Sequence, residues 1–234
     1  MDGRYAGLFA GVEESGIVEN LRLTESYFQS NAREFGGVAG LGKGKFYNIY
    51  NSVIMNACAY VVQNTDDTTT ETLNSATCGG FIGMTSSAVV LDKCWFAGEV
   101  TNNYNNTSHQ GTGGLIGYAN TGTVTMTNCM NSGTVKMDGQ TTNDTARLGG
   151  LIGYVKIPVT MNACLNTKAV TASDMATKGY GPLVGSCYSR DLVSVSATYV
   201  LDSTDIPKDD TTDEYPQNTT NNLAPTTTYG VVTE

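Results

Sequence analysis

Charge is scarce in this chain, and positive charge scarcer still. Only 15 % of its 234 residues are charged, with 13 Lys and Arg against 22 Asp and Glu, a formal net charge of −9. Non-specific nucleic-acid binding needs clustered Lys and Arg, so that class is set aside. Seven of the acids fall between Leu201 and Glu234, where Lys208 is the only cation, so the first 200 residues are close to neutral. Histidine is limited to His109, and no C-x-x-C pair exists, so the usual spacings of zinc and thiol-redox sites are missing. No apolar run reaches the length of a membrane-spanning helix, which argues against membrane insertion. A helical period of useful length is also missing. Met1-Asp2-Gly3-Arg4 lacks the pattern of a secretory leader. The start is therefore expected to be a cut inside a longer protein, with neighbouring domains of the same polypeptide beyond it.

Glycine is plentiful, and its placement is regular. The hexamer Gly-Gly-Leu-Ile-Gly-Tyr begins at Gly113 and again at Gly149. Aligning on the Gly-Gly pair adds Gly36-Gly37-Val38-Ala39-Gly40 and Gly79-Gly80-Phe81-Ile82-Gly83. Variants stand at Ala6-Gly7-Leu8-Phe9-Ala10 and Gly181-Pro182-Leu183-Val184-Gly185. Six units therefore start near residues 6, 36, 79, 113, 149 and 181. A second column follows downstream. Val53–Cys58, Val89–Cys94, Val124–Cys129 and Val159–Cys164 share one pattern, Val193–Thr198 is the fifth copy, and Leu21 takes the same place in the first unit. A third apolar segment ends at Val100, Val135 and Val170. A lone glycine-rich hexamer could suggest a nucleotide loop, but that needs a helix after it, and the pattern offers none.

Within a unit the alternation of Val124, Thr125, Met126 and Thr127 predicts a half-buried strand with a bend near Asn128. Asn120-Thr121-Gly122 and Ser132-Gly133 are turn chemistry. A unit reads as three strands joined by turns, with insertions at one place: Asn102–Thr112, Asp138–Arg147 and Ser173–Tyr180. Repetition in register predicts strand stacked on strand at about 4.8 Å. The expected fold is all-β: a right-handed parallel β-helix, or β-solenoid, of about six coils with edge insertions. It would occupy residues 1–200 and stand about 30 Å tall. Residues 201–234 form an acidic Thr/Asn/Pro-rich segment. Part of it, Tyr215 or Tyr229-Gly230-Val231-Val232, is expected to dock on the solenoid.

The Gly-Gly-Leu-Ile-Gly core with its downstream apolar strand resembles the GLUG-repeat family, over about Tyr5 to Val200. The resemblance implies a β-helix-like domain of a large secreted or surface-anchored bacterial protein, of the kind found in adhesins and surface proteases. It implies an extracellular or cell-surface location and carries no catalytic motif or ligand.

Among candidate sites, Cys58, Cys94, Cys129 and Cys164 read as a structural ladder of buried reduced thiols, since stacked side chains climb in a line and do not converge on a metal. Cys78 and Cys187 stand outside it in distant repeats. The ligand-contact candidates are Tyr104 and His109 in an Asn-rich insertion, and the repeated Tyr118 and Tyr154. Leu115 and Ile116 are adjacent and both apolar, so either one faces outward under a cover or the strand bends and both face in. Asp92 and Glu99 are the carboxylates nearest to a glycosidase pair. Asp138 to Asp144 has the residue types of a calcium loop without an established spacing. Thr125, Thr160 and Ser194 raise an ice-binding array that Ile54 and Val90 interrupt.

The expected function is non-enzymatic, without cofactor or metal: an adhesin-like module binding a host glycan or matrix protein, or a spacer in a larger surface protein. The alternative is a carbohydrate-active β-helix enzyme, a polysaccharide hydrolase or lyase.

Overall fold

The computed structural model describes residues 4–58, 61–63, 70–72, 76–103, 111–138, 147–172, 179–201 and 229–232. They are nearly all β, with no α-helix among them and one short 3-10 turn, Arg190–Leu192.

Three sheets carry the architecture, and in each the corresponding strands of successive units pair in parallel. The first sheet has six short strands, from Tyr5–Ala6 through Glu34–Gly36, Thr77–Gly79, Thr112–Gly113 and Leu148–Gly149 to Tyr180–Gly181, and their spatial order is the order of the units. The second is a 15-stranded sheet containing the long strands Ala39–Asn51 and Ile82–Phe96. The third has five strands: Tyr27–Ser30, Ile54–Ala57, Glu99–Asn102, Thr134–Met137 and Val170–Ala172. The exception to parallel pairing is a small antiparallel pair, Val61–Gln63 with Thr70–Thr72. Tyr229–Val232 adds a last parallel strand beside Thr198–Leu201; Tyr215 lies outside the described residues.

Alternation places the core. Val124 and Met126 are buried while Thr125 is exposed, and their partners Val89 and Leu91, Val159 and Met161 repeat the pattern. Phe46, Leu91, Met126, Met161 and Val195 stack in one column at the centre. Leu115 and Ile116 are both fully buried in that core. The chain bends between Gly114 and Leu115, which turns both side chains inward. The carbonyl of Leu151 accepts from the N–H of both, at 2.9 and 3.0 Å.

A second bend recurs once per unit. Asn20, Asn48, Lys93, Asn128, Ala163 and Ala197 all sit at φ between 44° and 55°. The left-handed region costs an L-residue roughly 1–2 kcal/mol, least for Asn. Three of the six are Asn, and the sequence placed a bend near one of them, Asn128. Ala163 pays this strain on an exposed turn. Ala163→Asn is therefore expected to stabilise the fold by about 0.5–1 kcal/mol. The check is a rise in urea midpoint at constant m-value; an unchanged or lowered midpoint would count against the strain.

Register corrects one assignment. Ala39–Asn51 pairs along the length of Ile82–Phe96 with one register shift between Thr85 and Val89, and beyond that shift Ile49 stands opposite Cys94. The inward column is Leu21, Ile49, Cys94, Cys129, Cys164 and Thr198. Cys58 lies outside it, past the third-sheet strand Ile54–Ala57 and half-buried beside Ser30. The segment before Cys58 copies the apolar spacing of the other units but occupies a different sheet.

Candidate functional site

The residue that follows each ladder position faces outward, because strand side chains alternate. Reading it across the units gives Arg22, Tyr50, Trp95, Met130, Leu165 and Tyr199, paired in that order. This is a stripe of large side chains across six units on one face. Trp95 and Tyr199 are 42 % and 44 % exposed, while Tyr50, Met130 and Leu165 are half-buried. The Gly230 that follows Tyr199 in the sheet has no side chain.

The stripe is ordered by local contacts. The Arg22 guanidinium lies 4.6 Å from the Tyr50 ring centre. Tyr50 and Trp95 meet edge to face, 5.0 Å apart with an 81° interplanar angle, a favoured aromatic geometry. Trp95 Nε1 donates to Ser132 Oγ at 2.7 Å, so its one polar atom is satisfied while part of the ring stays open. On the same sheet run two mostly polar columns, Lys45, Val90, Thr125, Thr160 and Ser194, in which Val90 is the apolar break, and Tyr47, Asp92, Thr127, Asn162 and Ser196. Asn128 Nδ2 donates to Asp92 Oδ1 at 3.0 Å, and Ser196 Oγ donates to Asn162 Oδ1 at 3.0 Å. The Thr/Ser column is joined at its lower end by Lys45 and Ile17. Ile54 belongs to the third sheet.

The sequence-derived candidates fall elsewhere. Tyr104 and His109 lie outside the described residues, as do residues 139–144 of the calcium-loop segment. Tyr118 and Tyr154 do pair in register and stack, 5.0 Å between ring centres at 27°. They are only 8 % and 6 % exposed and form a small cluster with Met84. The Arg147 guanidinium sits 4.1 Å from the Tyr154 ring centre and is itself buried. Burial, and secondarily the neighbouring Tyr154, pushes the Tyr118 hydroxyl up to about 12. This corrects the reading of these rings as ligand contacts: they are packing beneath Arg147, with too little open area for a ligand.

The thiols of Cys94, Cys129 and Cys164 are buried and donate to backbone carbonyls, Cys94 Sγ to Phe46 O at 3.4 Å and Cys129 Sγ to Thr127 O at 3.2 Å. The Cys164 thiol is held well above its ordinary range, first by a side-chain hydrogen bond with the Cys129 thiol and then by burial. At Cys129 the bond to Cys164 pulls down, but the bond to Cys94 together with burial raises the net value. Burial alone raises Cys78. A protonated buried thiol is a poor nucleophile and a poor ligand. Among the described residues no group of three or more His, Cys, Asp or Glu gathers as a metal site. Asp92 and Glu99 stand on different sheets, and Glu99 accepts from Thr101 Oγ1 and Lys136 Nζ at 3.0 and 3.1 Å.

Sequence reading missed the stripe although a signal was present. Each ladder position is followed by a large side chain: Cys94-Trp95, Cys129-Met130, Cys164-Leu165, Thr198-Tyr199. Tyr50 was hidden because the second unit was aligned on Cys58. No family model, curated protein or solved structure matches this chain.

Proposed function

We propose that the stacked units form a right-handed parallel β-helix of about six coils, of the GLUG-repeat type, and that the chain is a non-enzymatic adhesin-like module of a secreted or cell-surface protein. The observation that carries this reading is the stripe of Tyr50, Trp95, Met130, Leu165 and Tyr199, half-buried or exposed on a strand-paired face. Loops adapt, whereas strands hold side chains at fixed spacing, so a binding surface built on them is rigid and needs little ordering on contact. Trp and Tyr are also the residues that most often dominate recognition energy. Other exposed apolar side chains, such as Ile17, Tyr27, Ile54 and Tyr188, lie outside this run of register-paired large residues.

The test is binding of the immobilised chain to a panel of glycans and extracellular-matrix proteins, with Trp95→Ala alongside. Binding of at least one partner, weakened about tenfold or more by Trp95→Ala, is the expected result. If neither panel binds, the recognition reading falls and a spacer role remains.

A further inference from the structure

We infer that the stripe is the binding site of a neutral, unbranched glycan lying along the stacking direction of the units, one sugar against each rung. The inference rests on the binding-module reading and adds the ligand class, its orientation and its charge.

Spacing is the first argument. Neighbouring strands lie about 4.8 Å apart, and an extended chain of pyranose rings advances by about that distance per sugar. From Tyr50 to Tyr199 the stripe crosses five units, which is about 19 Å. Sugars laid along it would keep nearly in step with the side chains over these five rungs, with a small drift per sugar. The stripe is also one residue wide, which suits a chain one sugar wide.

Chemistry is the second argument. A pyranose with equatorial substituents has an apolar C–H face and a rim of hydroxyls. Trp95 and Tyr199, the most open rings of the stripe, offer flat area to the C–H face. The rim would meet polar columns on the same sheet: Thr127, Asn162 and Ser196, with Asn128 at the bend. Amide and hydroxyl groups both donate and accept, as sugar hydroxyls do.

Charge is the third argument. Over the last three units the stripe and its flanking columns hold no charged residue: Thr125, Thr127, Asn128 and Met130; Thr160, Asn162, Ala163 and Leu165; Ser194, Ser196, Ala197 and Tyr199. This holds on a chain of net charge −9. Along these three units the face is neutral and an acidic glycan would find no cation. The two units before them carry Lys45, Asp92 and Lys93 around Tyr50 and Trp95, and Arg22 lies against Tyr50, so charge is confined to one end of the stripe and is of both signs.

The experiment is a titration with unbranched neutral oligosaccharides of two, four and six equatorially linked sugars, β-linked glucose and N-acetylglucosamine, at low and high salt. Acidic oligosaccharides and matrix proteins serve as comparison ligands. Affinity is expected to rise with length up to about four or five sugars and then level off, with little response to salt. Trp95→Ala and Tyr199→Ala are each expected to weaken the longest ligand about tenfold or more. Both side chains are partly exposed and outside the core, and a matching urea midpoint checks folding. Neutral-glycan binding without length dependence, or indifferent to both substitutions, overturns the inference. Binding confined to acidic glycans overturns it too. A matrix protein bound through Trp95 when no glycan binds overturns the glycan inference and leaves the binding-module reading standing. If no ligand binds, both fall.

Discussion

Gly149→Ala is expected to cost about 3–4 kcal/mol of folding stability, near the upper end for a single methyl group. The backbone at Gly149 has no unusual φ; the demand is for space. A Cβ there would collide with the carbonyl oxygen of Ile152 in its own unit and come within 2.6 Å of the Gly185 amide nitrogen in the next. Both obstacles are main chain. Neither can yield without disturbing the bonds that join the units, such as Gly150 N–H to Gly181 O at 3.1 Å and Ile152 N–H to Leu183 O at 2.9 Å. The same conflict recurs at Gly36, Gly79 and Gly113, where the next unit's Gly83, Gly117 and Gly153 amides lie 2.6–2.7 Å away. Gly11→Ala is the control. Its Cβ would meet nothing nearer than Leu41 O at 3.6 Å, and a change within about 0.5 kcal/mol is expected. Urea unfolding of the two variants decides the matter, and equal losses would refute the crowding argument.

Asn131→Ala is expected to cost about 2–4 kcal/mol, because it strips partners from groups that water cannot reach. Asn131 is fully buried at the turn from the second sheet to the third. Its Oδ1 accepts from Gly133 N–H at 3.0 Å, and its Nδ2 donates to Gly133 O at 3.2 Å and to Asn166 Oδ1 at 2.8 Å. Asn166 donates in turn to Lys168 O at 2.7 Å. The amides therefore close their own turns and link one unit to the next. A double-mutant cycle with Asn166→Ala is expected to give a coupling of about 1 kcal/mol or more. Strict additivity in urea unfolding would show that the two amides act alone. In the third unit Phe96 holds this place and fills the space over Gly80 with its ring. The position thus accepts either a satisfied amide or sheer bulk.

What the sequence disclosed follows from these two demands. Backbone crowding leaves no room for a Cβ at Gly36, Gly79, Gly113 and Gly149, so the inner pairs are alike and the unit boundaries could be read directly, while in the last unit Pro182 takes the second place. Turn chemistry likewise pointed to the bend at Asn128. A core position is less demanding, since Ile49 and Cys94 fill neighbouring places in one column and any small or medium hydrophobe serves. That tolerance let Cys58 pass for a ladder member. Tyr118 and Tyr154 are packed with Met84, and Arg147 lies over Tyr154; neither partner belongs to the hexamer or leaves a mark on it. The stripe was hard to see for a different reason. Tyr, Trp, Met and Leu share size and direction there but not identity, and alignment by letter does not find such a column.

The register has a consequence for how such a chain can change length. Thr112–Gly113 pairs on one side with Cys78-Gly79 and on the other with Leu148–Gly149, in matching positions. Excising residues 113–148 would set Gly149 where Gly113 stood, and every column would close up by one rung. Duplicating the same stretch would lengthen each column by one. A single residue added inside a strand would instead turn its core side outward. Recombination between units is therefore the gentle route by which the protein can grow or shrink, and the length of its outer face is counted in whole repeats.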